Sequence, residues 1–131
     1  MKRVLLAGLL MSSSPAMAGT VVDGLLTEYQ AQGAGAFDAG RGAQQWTQTH
    51  MQEKLGKPVS CASCHTTDLT RTGEHIKTGK RIEPLAVRAN AERLTDAAKI
   101  EKWFTRNCNW TYGRACTPQE KGDFLMFIQN Y

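Results

Sequence analysis

The chain has 131 residues and a formal net charge of +4 at pH 7. This length suits one domain, although a chain this short has limited surface to bury. The small net charge gives no case for nucleic-acid binding, and the sequence contains no internal repeat and no low-complexity tract.

The N-terminal residues have the three parts of a secretory signal peptide. Lys2 and Arg3 form a positive region, an apolar run follows, and residues 16–18 are a small-residue cleavage site. We therefore predict a cleaved signal over residues 1–18, a single domain over residues 19–131 with a formal net charge of +2, and export to the periplasm. The apolar run is too short to span a bilayer, and no other segment is apolar enough for direct membrane insertion.

Two helices are predicted in the first half of the domain. The first covers residues 20–32, with Thr20 as its cap. Its apolar face has helical spacing and consists of Val22, Leu25, Leu26 and Tyr29. The second covers about residues 38–53 and carries Gly42 and Trp46 one turn apart. A small residue beside an aromatic one lets another helix approach closely.

Two more helices are predicted near the C-terminus, and no segment alternates convincingly as a strand would, so we predict an all-α domain. The third helix covers residues 95–106, with Thr95 or Asp96 as its cap. The fourth begins at Thr117, which with Pro118 and Glu120 has the pattern of a capping box. The inward faces of these two helices are predicted to be Ile100, Trp103 and Phe104, and Phe124, Leu125, Phe127 and Ile128.

Between the second and third helices, residues 56–94 contain several Gly and Pro breakers and are predicted to be a loop. This loop contains Cys61-Ala62-Ser63-Cys64-His65, the pattern to which c-type haem is attached. Two residues between the thiols match the separation of the two haem vinyl groups, and His65 then lies beneath the iron as its proximal ligand. We predict one covalently attached haem c, held by Cys61 and Cys64. Export agrees with this, because c-type haem is attached outside the cytoplasmic membrane.

The two cysteines also have two other interpretations. A thioredoxin-like redox pair would need a βαβ context, and none is visible. A zinc site would need a second pair of ligands, and Cys108 and Cys116 are too far apart to supply one. The loop also contains basic residues that could neutralise haem propionates or contact an acidic redox partner, although a solvated basic loop explains each of them equally well: Arg71, Lys77, Lys80, Arg81, Arg88 and Arg93.

Helices on both sides of a loop with a CxxCH motif resemble a class I cytochrome c. In that family the N-terminal and C-terminal helices cross beside the haem. The residues that resemble this crossing are Gly42 with Trp46, and Leu125 with Ile128. Pro84-Leu85 resembles the proline-leucine pair of the haem pocket. The resemblance implies that the Pro84 carbonyl accepts a hydrogen bond from the ring N–H of His65, which would fix the orientation of the imidazole.

The methionine that usually ligates iron in an electron-transfer cytochrome has no suitable counterpart here. Met51 precedes the haem motif, Met126 lies among core residues of the last helix, and the other methionines belong to the predicted signal. The corresponding region contains Arg106-Asn107-Cys108-Asn109 instead, at the predicted end of the third helix. The sequence therefore disfavours a His–Met electron carrier.

Residues 61–65, 77–86 and 93–128 closely resemble the sphaeroides haem protein family, with its specific RNC and CTPxEK elements. Members are class I cytochromes whose ferric iron is ligated by an asparagine next to a disulfide. The resemblance implies that Asn107 is the distal ligand and that Cys108 and Cys116 are bridged. It also implies a dihaem cytochrome c and a membrane cytochrome b as redox partners. Val87 departs from the family, in which we expect proline at that position.

The chemistry of asparagine supports a ligand that moves. A carboxamide is a weak, hard ligand that suits ferric iron better than ferrous iron. We therefore expect Asn107 to leave on reduction and to open the iron to O2 or NO. Asn109, Asn90, His50 and His75 remain alternatives, and an asparagine at this place also suits a helix C-cap. The two remaining cysteines of an exported chain are expected to form a disulfide in any case.

Three uses of this site remain open. The first is a haem protein that binds O2 or NO and turns the binding into chemistry, such as oxidation of nitric oxide. The second is an electron carrier whose weak ligand only tunes the reduction potential, and the third is a sensor or scavenger of gases without turnover. All three need the same iron site and a redox partner protein, so the sequence does not separate them.

Overall fold

The computed structural model describes residues 17–131, so the predicted signal peptide lies almost wholly outside the described residues. Within these residues the structure has five helices and two antiparallel two-stranded sheets. The helices are α1 (Ala18–Ala31), α2 (Ala39–Thr47), α3 (Ala62–His65), α4 (Ala97–Tyr112) and α5 (Pro118–Gln129), and the strands are β1 (His50–Gln52), β2 (Lys57–Val59), β3 (Gly73–Glu74) and β4 (Arg81–Ile82). None of the helices in this part of the chain is long and apolar enough to cross a membrane.

α1, α2 and α5 form a helical frame in which α5 contacts both other helices. The buried residues between α1 and α5 are Val22, Leu25, Tyr29 and Leu125. Where α2 crosses α5, a Cβ at Gly42 would overlap the carbonyl oxygen of Asp123 and lie 2.8 Å from Phe127 Cβ. The predicted close approach of a helix at Gly42 is therefore present, and only glycine permits it.

An ion pair between a half-exposed arginine and a buried carboxylate stabilises the same crossing. The Asp123 side chain is fully buried and accepts hydrogen bonds from Arg41 Nε at 2.9 Å and from the Asp38 backbone N–H at 2.8 Å. The Asp38 side chain caps α2 by accepting from the Arg41 backbone N–H. Because removing one partner of such a pair leaves a buried charge uncompensated, this contact fixes how α2 lies on α5.

α4 is joined to the frame by a polar contact between three helices. Tyr29 of α1 donates its hydroxyl hydrogen to Glu101 of α4. The other oxygen of Glu101 accepts from Lys121 Nζ of α5 at 2.7 Å. Burial and the hydrogen bond to Glu101 raise the pKa of Tyr29 above its ordinary value, so the hydroxyl stays protonated at neutral pH and donates its hydrogen bond to Glu101.

The prediction of a predominantly helical domain is confirmed, although it missed four short strands. The second helix was predicted to reach residue 53, but α2 ends at Thr47. His50–Gln52 is extended because it pairs with Lys57–Val59 across a turn in which Gly56 has a φ of +63°. The second sheet joins Gly73–Glu74 to Arg81–Ile82.

The predicted helix ends were right for α5 and partly wrong for α1 and α4. The capping box of Thr117 and Glu120 is present. Thr20 does not cap α1, since the helix begins at Ala18 with no side-chain cap. α4 has the predicted cap, Asp96, but continues to Tyr112 and ends at Gly113 in the left-handed conformation. Asn107 therefore lies inside α4, and the alternative of a helix C-cap at this residue is wrong.

Candidate haem site

The haem motif forms a single helical turn, α3, that brings its three functional side chains to one place. Cys61 begins this turn, and its carbonyl oxygen accepts from the His65 backbone N–H at 3.1 Å. Cys61 and Cys64 are half-buried and form no disulfide. One turn of helix places residues three and four apart on one face, so the two thiols and the imidazole come from one short, rigid element.

Two contacts set the position of this turn. After His65 the chain reverses at Thr66, whose φ of +68° is unusual for a β-branched residue. The Thr66 carbonyl accepts from Trp46 Nε1 at 2.9 Å, and the Trp46 and His65 rings are 5.5 Å apart. On the other side, a Cβ at Gly73 would overlap the Cys64 carbonyl oxygen. The motif is therefore held between α2 and strand β3.

His65 is in the protonation state that iron ligation needs. Burial, together with the positive charges of Arg93 and His75, lowers the pKa of the imidazole to about 4. The ring is therefore neutral at neutral pH, and a neutral imidazole can donate a nitrogen lone pair to a metal. Its Nδ1 is buried and has no hydrogen-bond partner within residues 17–131.

The Pro84-Leu85 pair is related to this motif through the core, since Leu85 packs against the same hydrophobic cluster as Cys61 and Ala62. The backbone N–H groups of Leu85 and Ala86 donate to the Leu69 carbonyl at 3.0 and 2.9 Å, and Leu69 and Ala86 are fully buried. The hydrogen bond predicted from His65 to the Pro84 carbonyl is not present, however. That carbonyl accepts from Arg93 Nε at 2.8 Å instead.

Asn107 lies on the exposed side of α4. Trp103, one helical turn earlier on the same face, is 43% exposed and carries the Arg106 guanidinium over its ring at 5.3 Å. The next residue after Asn107 faces the core: Cys108 is buried. The structure thus places the predicted distal ligand between a tryptophan and a buried cysteine.

The two other histidines, His50 and His75, are half-buried. The His50 ring meets the edge of Tyr112 at 4.3 Å, and the His75 ring lies 5.5 Å from Trp110. His75 Nδ1 accepts from the backbone N–H of Lys77 and of Thr78, both at 3.2 Å. The Nδ1 atom of His75 therefore stabilises the turn between β3 and β4.

Cys108 and Cys116 form a disulfide that joins α4 to the residues before α5. Their Cα atoms are 5.5 Å apart, and both residues are buried. They pack in a core cluster with Trp46, Phe124 and Ile128. The bridge therefore anchors the residue next to Asn107 to the hydrophobic core.

The geometry disfavours the two alternative interpretations of the cysteine pair. A redox-active pair needs a thiol with a low pKa, whereas burial raises the pKa of Cys61 to about 12. Among residues 17–131, no three His, Cys, Asp or Glu side chains converge as a zinc site would need. Two free thiols and a neutral imidazole on one turn are the donor set that fits haem c, with Cys61 and Cys64 as tethers and His65 as the iron ligand.

Fold and site together define a c-type cytochrome, and comparisons with known proteins agree. Residues 32–128 match a family described as a domain of unknown function (DUF1924). The chain is 44% identical over 117 residues to the cytochrome c-type protein SHP of Cereibacter sphaeroides, which covers 88% of this chain and 89% of the relative. The chain belongs to this family, the sphaeroides haem proteins, and it carries covalently bound haem c with iron.

Solved structures show the same fold. A structure of oxidised SHP, described as an oxygen-binding cytochrome c, matches with a TM-score of 0.76 and 42% identity, covering 84% of this chain and 96% of that chain. Oxidised cytochrome c'' of Methylophilus methylotrophus matches with a TM-score of 0.73 and 36% identity, covering 83% and 93%. The predicted class I cytochrome c fold and its haem cofactor are thereby confirmed.

Three contributions to the site were missed by reasoning from the sequence. Gly73 was counted only as a loop breaker, although the hairpin approaches the Cys64 carbonyl there. The hydrogen bond from Trp46 to Thr66 spans twenty residues and has no local pattern. Arg93 was expected to neutralise a propionate, contact a partner or lie in solvent, whereas it is half-buried and donates to the Pro84 carbonyl. An arginine nine residues after a Pro-Leu pair gives no signal by itself.

Proposed function

We propose that the protein is a periplasmic monohaem cytochrome in which Asn107 closes the distal side of ferric iron and withdraws on reduction, so that O2 or NO can enter. When bound, the haem supplies an iron that changes between ferric and ferrous and accepts a diatomic ligand. His65 holds the proximal side through its neutral imidazole. Asn107 is the residue that makes access depend on the redox state.

The observation that carries this proposal is a comparison of the three candidate asparagines. The Asn109 amide donates to the Thr105 carbonyl at 2.7 Å, and the Asn90 amide donates to the Pro84 carbonyl at 3.4 Å. The carboxamide of Asn107 is exposed and makes no hydrogen bond within residues 17–131. The side chain of Asn107 is therefore free to turn its oxygen toward a metal, whereas hydrogen bonds hold the side chains of Asn109 and Asn90 in place. The neighbouring disulfide fixes the position of Asn107 on α4.

The positions of the methionines support the same assignment. Met51 is 64% exposed on β1, outside α4, and Met126 is half-buried on α5. A carboxamide oxygen is a harder donor than a thioether sulfur, so it favours ferric over ferrous iron. Withdrawal of Asn107 after reduction then needs only a rotation of a side chain that has no other bond to break.

The description of oxidised SHP as an oxygen-binding cytochrome supports O2 as one ligand. Oxidation of NO to nitrate is the reaction that we propose for this site, and it consumes one O2 and one electron for each NO. The electron has to come from a partner protein, for which a dihaem cytochrome c and a membrane cytochrome b are our candidates. The activity is measured as the ratio of nitrate formed to electrons delivered, and the proposed reaction gives one nitrate for each electron.

Replacement of Asn107 by Ala, with Asn109→Ala as the matched control, tests the ligand assignment. Both substitutions remove a carboxamide from α4, but the Asn109 side chain is bonded only to the backbone of its own helix. We expect ferric wild type to be largely high-spin without a methionine-sulfur charge-transfer band, and ferrous protein to bind NO, CO and O2 without a slow displacement step. Asn107→Ala should change the ferric spectrum, and Asn109→Ala should not.

Two results would contradict the proposal. An Asn107→Ala protein with the wild-type spectra in both oxidation states would exclude Asn107 as a ligand. A wild-type ferrous protein whose spectrum does not change when gases are added would instead indicate a simple electron carrier. Gas binding without nitrate formation would support a sensor or scavenger.

The intact mass of the denatured protein tests export and haem attachment together. The expected mass is that of residues 19–131 plus one haem, less two hydrogens for the disulfide. Cleavage after Ala18 sets the polypeptide part of this mass, and tethering through Cys61 and Cys64 adds the mass of the haem. Haem that extracts into acidified organic solvent would contradict the covalent attachment.

A further inference from the structure

The β3–β4 hairpin with its flanking residues carries the excess positive charge of the domain. This basic hairpin, residues 71–83, contains four cations and two carboxylates, so its formal net charge is +2. The whole domain over residues 19–131 has the same formal net charge, and its remaining residues therefore balance to zero. All six charged side chains of the basic hairpin are exposed: Arg71, Lys77, Lys80 and Arg81, with Glu74 and Glu83.

Two of these cations are free at the tip of the basic hairpin. The ammonium groups of Lys77 and Lys80 form no ion pair within residues 17–131. Arg81 differs, because its Nε donates to the Glu83 carboxylate at 2.9 Å. An arginine paired in this way offers little net charge to another molecule, whereas a free ammonium group offers a full one. Lys77 and Lys80 are therefore the charges that an approaching molecule meets first.

Hydrogen bonds within the turn hold the two lysines in place. His75 Nδ1 accepts from the Lys77 backbone N–H at 3.2 Å, and the His75 backbone N–H donates to the Lys80 carbonyl at 2.8 Å. The Gly79 backbone N–H donates to the His75 carbonyl at 2.8 Å, and Gly79 has a φ of +69°, which favours glycine. A turn that is already ordered loses little entropy when a partner binds, so it suits a docking surface.

The basic hairpin also touches the haem motif. The Ile76 backbone N–H donates to Cys64 Sγ at 3.4 Å, and Ile76 is the residue before Lys77. At the base of the hairpin, Gly73 approaches the Cys64 carbonyl so closely that a Cβ would overlap it. Cys64 is a predicted haem tether, so a protein bound at the tip lies next to the place of haem attachment. An electron delivered there has a short path to the iron.

We propose that the tip of the basic hairpin, with Lys77 and Lys80, is the docking surface for an acidic face of the protein that delivers the electron. This inference rests on the proposed function, which needs a protein donor. The donor loses one electron, and the ferric iron takes it up and becomes ferrous. Carboxylates of the donor pair with the two ammonium groups, which steers the encounter and increases the rate of association.

The composition of the basic hairpin favours a protein over a membrane as the partner. Basic segments that bind anionic lipid contain about four to eight clustered Lys or Arg, whereas here four cations alternate with two carboxylates. Amphipathic elements that lie in a membrane surface also bury an apolar face. The large apolar side chains that are exposed within residues 17–131 lie elsewhere: Met17, Met51 and Trp103.

The test measures reduction of the haem-loaded ferric protein by reduced flavodoxin, an acidic flavoprotein that serves as the probe. The flavin hydroquinone becomes a semiquinone as one electron passes to the iron, and stopped-flow absorbance gives the second-order rate constant. Lys77→Glu and Lys80→Glu should each lower this rate constant about tenfold at low salt. Added salt should slow the wild type more than the variants, because salt screens exposed charges.

Lys99→Glu is the matched control. It makes the same change in charge at an exposed lysine of α4. The His75 ring of the basic hairpin lies 5.5 Å from Trp110, and Lys99 precedes Trp110 by eleven residues, which is about 16 Å along a helix. We therefore expect the rate constant of Lys99→Glu to stay within about twofold of wild type.

Three results would overturn the proposal. The first is an equal loss of rate in Lys99→Glu, which would show an effect of overall charge. The second is a change in the ferric spectrum or the midpoint potential of the two hairpin variants, which would show that the lysines act on the haem itself. The third is an unchanged rate with flavodoxin, combined with loss of binding to vesicles of phosphatidylserine and phosphatidylcholine, which would show a membrane contact.

The same experiment separates this proposal from the proposed function. If the hairpin variants lose rate but ferrous wild type binds no gas, the docking surface stands and the gas-binding function fails. If ferrous wild type binds gas but the hairpin variants keep the wild-type rate, the docking surface alone is wrong. If one hairpin variant does not fold, the other decides the question.

Discussion

Two glycines lie where the backbone touches another segment. They show how differently the helical frame (α1, α2 and α5) and the haem segment (residues 61–86) are built. A Cβ at Gly42 would overlap the Asp123 carbonyl oxygen, and a Cβ at Gly73 would overlap the Cys64 carbonyl oxygen. At Gly42 the contact joins two regular helices, and the ion pair of Arg41 with Asp123 fastens it. At Gly73 it joins a two-residue strand to one helical turn.

The difference indicates where each region gets its stability. The frame uses side-chain packing and the ion pair of Arg41 with the buried Asp123, so its helices cannot shift without breaking several contacts together. The haem segment uses backbone hydrogen bonds between short elements, such as those that Leu69 accepts from Leu85 and Ala86. Steric changes there can therefore be absorbed by small movements of loops.

The largest effect is expected for Gly42→Ala in the frame. The new methyl group meets backbone atoms of Asp123 and lies 2.8 Å from Phe127 Cβ, and neither can move without separating α2 from α5. We expect a loss of about 3 kcal/mol in the free energy of unfolding, at the upper end for overpacked cores, measured by denaturant titration. Gly24→Ala on α1 is the control: a Cβ there has nothing within 4 Å, and this helix position should gain up to about 1 kcal/mol.

Removal of the disulfide by the double substitution Cys108→Ser and Cys116→Ser should cost about 2–3 kcal/mol, as the chain-entropy model gives for a short loop. The two sulfurs are eight residues apart and buried. Because the bridge lies between the frame and α4, we also expect faster exchange of gas ligands as Asn107 becomes less restrained. If the free energy of unfolding of wild type is the same with the disulfide oxidised and with it reduced, the bridge contributes no constraint.

Gly73→Ala tests the haem segment with the same chemical change as Gly42→Ala. The clash with Cys64 should be relieved by movement of the β3–β4 hairpin, so the expected loss is only about 1–2 kcal/mol. The ferric absorption spectrum should change, since the hairpin presses on the residue before His65. A loss as large as that of Gly42→Ala, with an unchanged spectrum, would show that the two regions do not differ as we describe.

The smallest effect concerns pH and the cap of α5. The hydrogen bond from Arg114, together with Thr117, holds the pKa of Glu120 below its ordinary value. A carboxyl with a lowered folded-state pKa stabilises the protein above its unfolded pKa, and this contribution is lost as the pH falls through the folded value. Glu120→Gln should therefore cost about 1 kcal/mol at neutral pH and progressively less in acid. A difference from wild type that is constant with pH would contradict a role for this charge.

The sequence predicted those features that local patterns or chemistry determine. Helical spacing and a capping box predicted α5, which the structure has. The CxxCH motif predicts the two tethers and His65 as iron ligand, and these roles stay predictions. The end of α4 was misplaced because Asn107 resembled a C-cap, whereas the helix ends at Gly113, which adopts the left-handed conformation more readily. The end of α2 was missed because His50–Gln52 becomes extended only by pairing with a later segment.

Contacts between distant residues could not be predicted at all. Tyr29 and Glu101 are 72 positions apart, and Arg41 and Asp123 are 82 apart. The choice of Arg93 rather than His65 as donor to Pro84 depends on distances between loops that have no regular spacing. Such contacts follow from the packed fold, so a single sequence does not reveal them.

The short sequence separation of the disulfide also bears on the export and haem attachment that we propose for this chain. Cys61 and Cys64 have to remain reduced, because the haem consumes both thiols, yet four cysteines allow three pairings. Cys108 and Cys116 are eight residues apart, so their bridge closes a much shorter loop than any cross-pairing with the haem motif. Once closed, the bridge withdraws both sulfurs from thiol exchange. Cys61 and Cys64 are then the two thiols that remain for haem attachment, because Cys108 and Cys116 can no longer react with the haem vinyl groups.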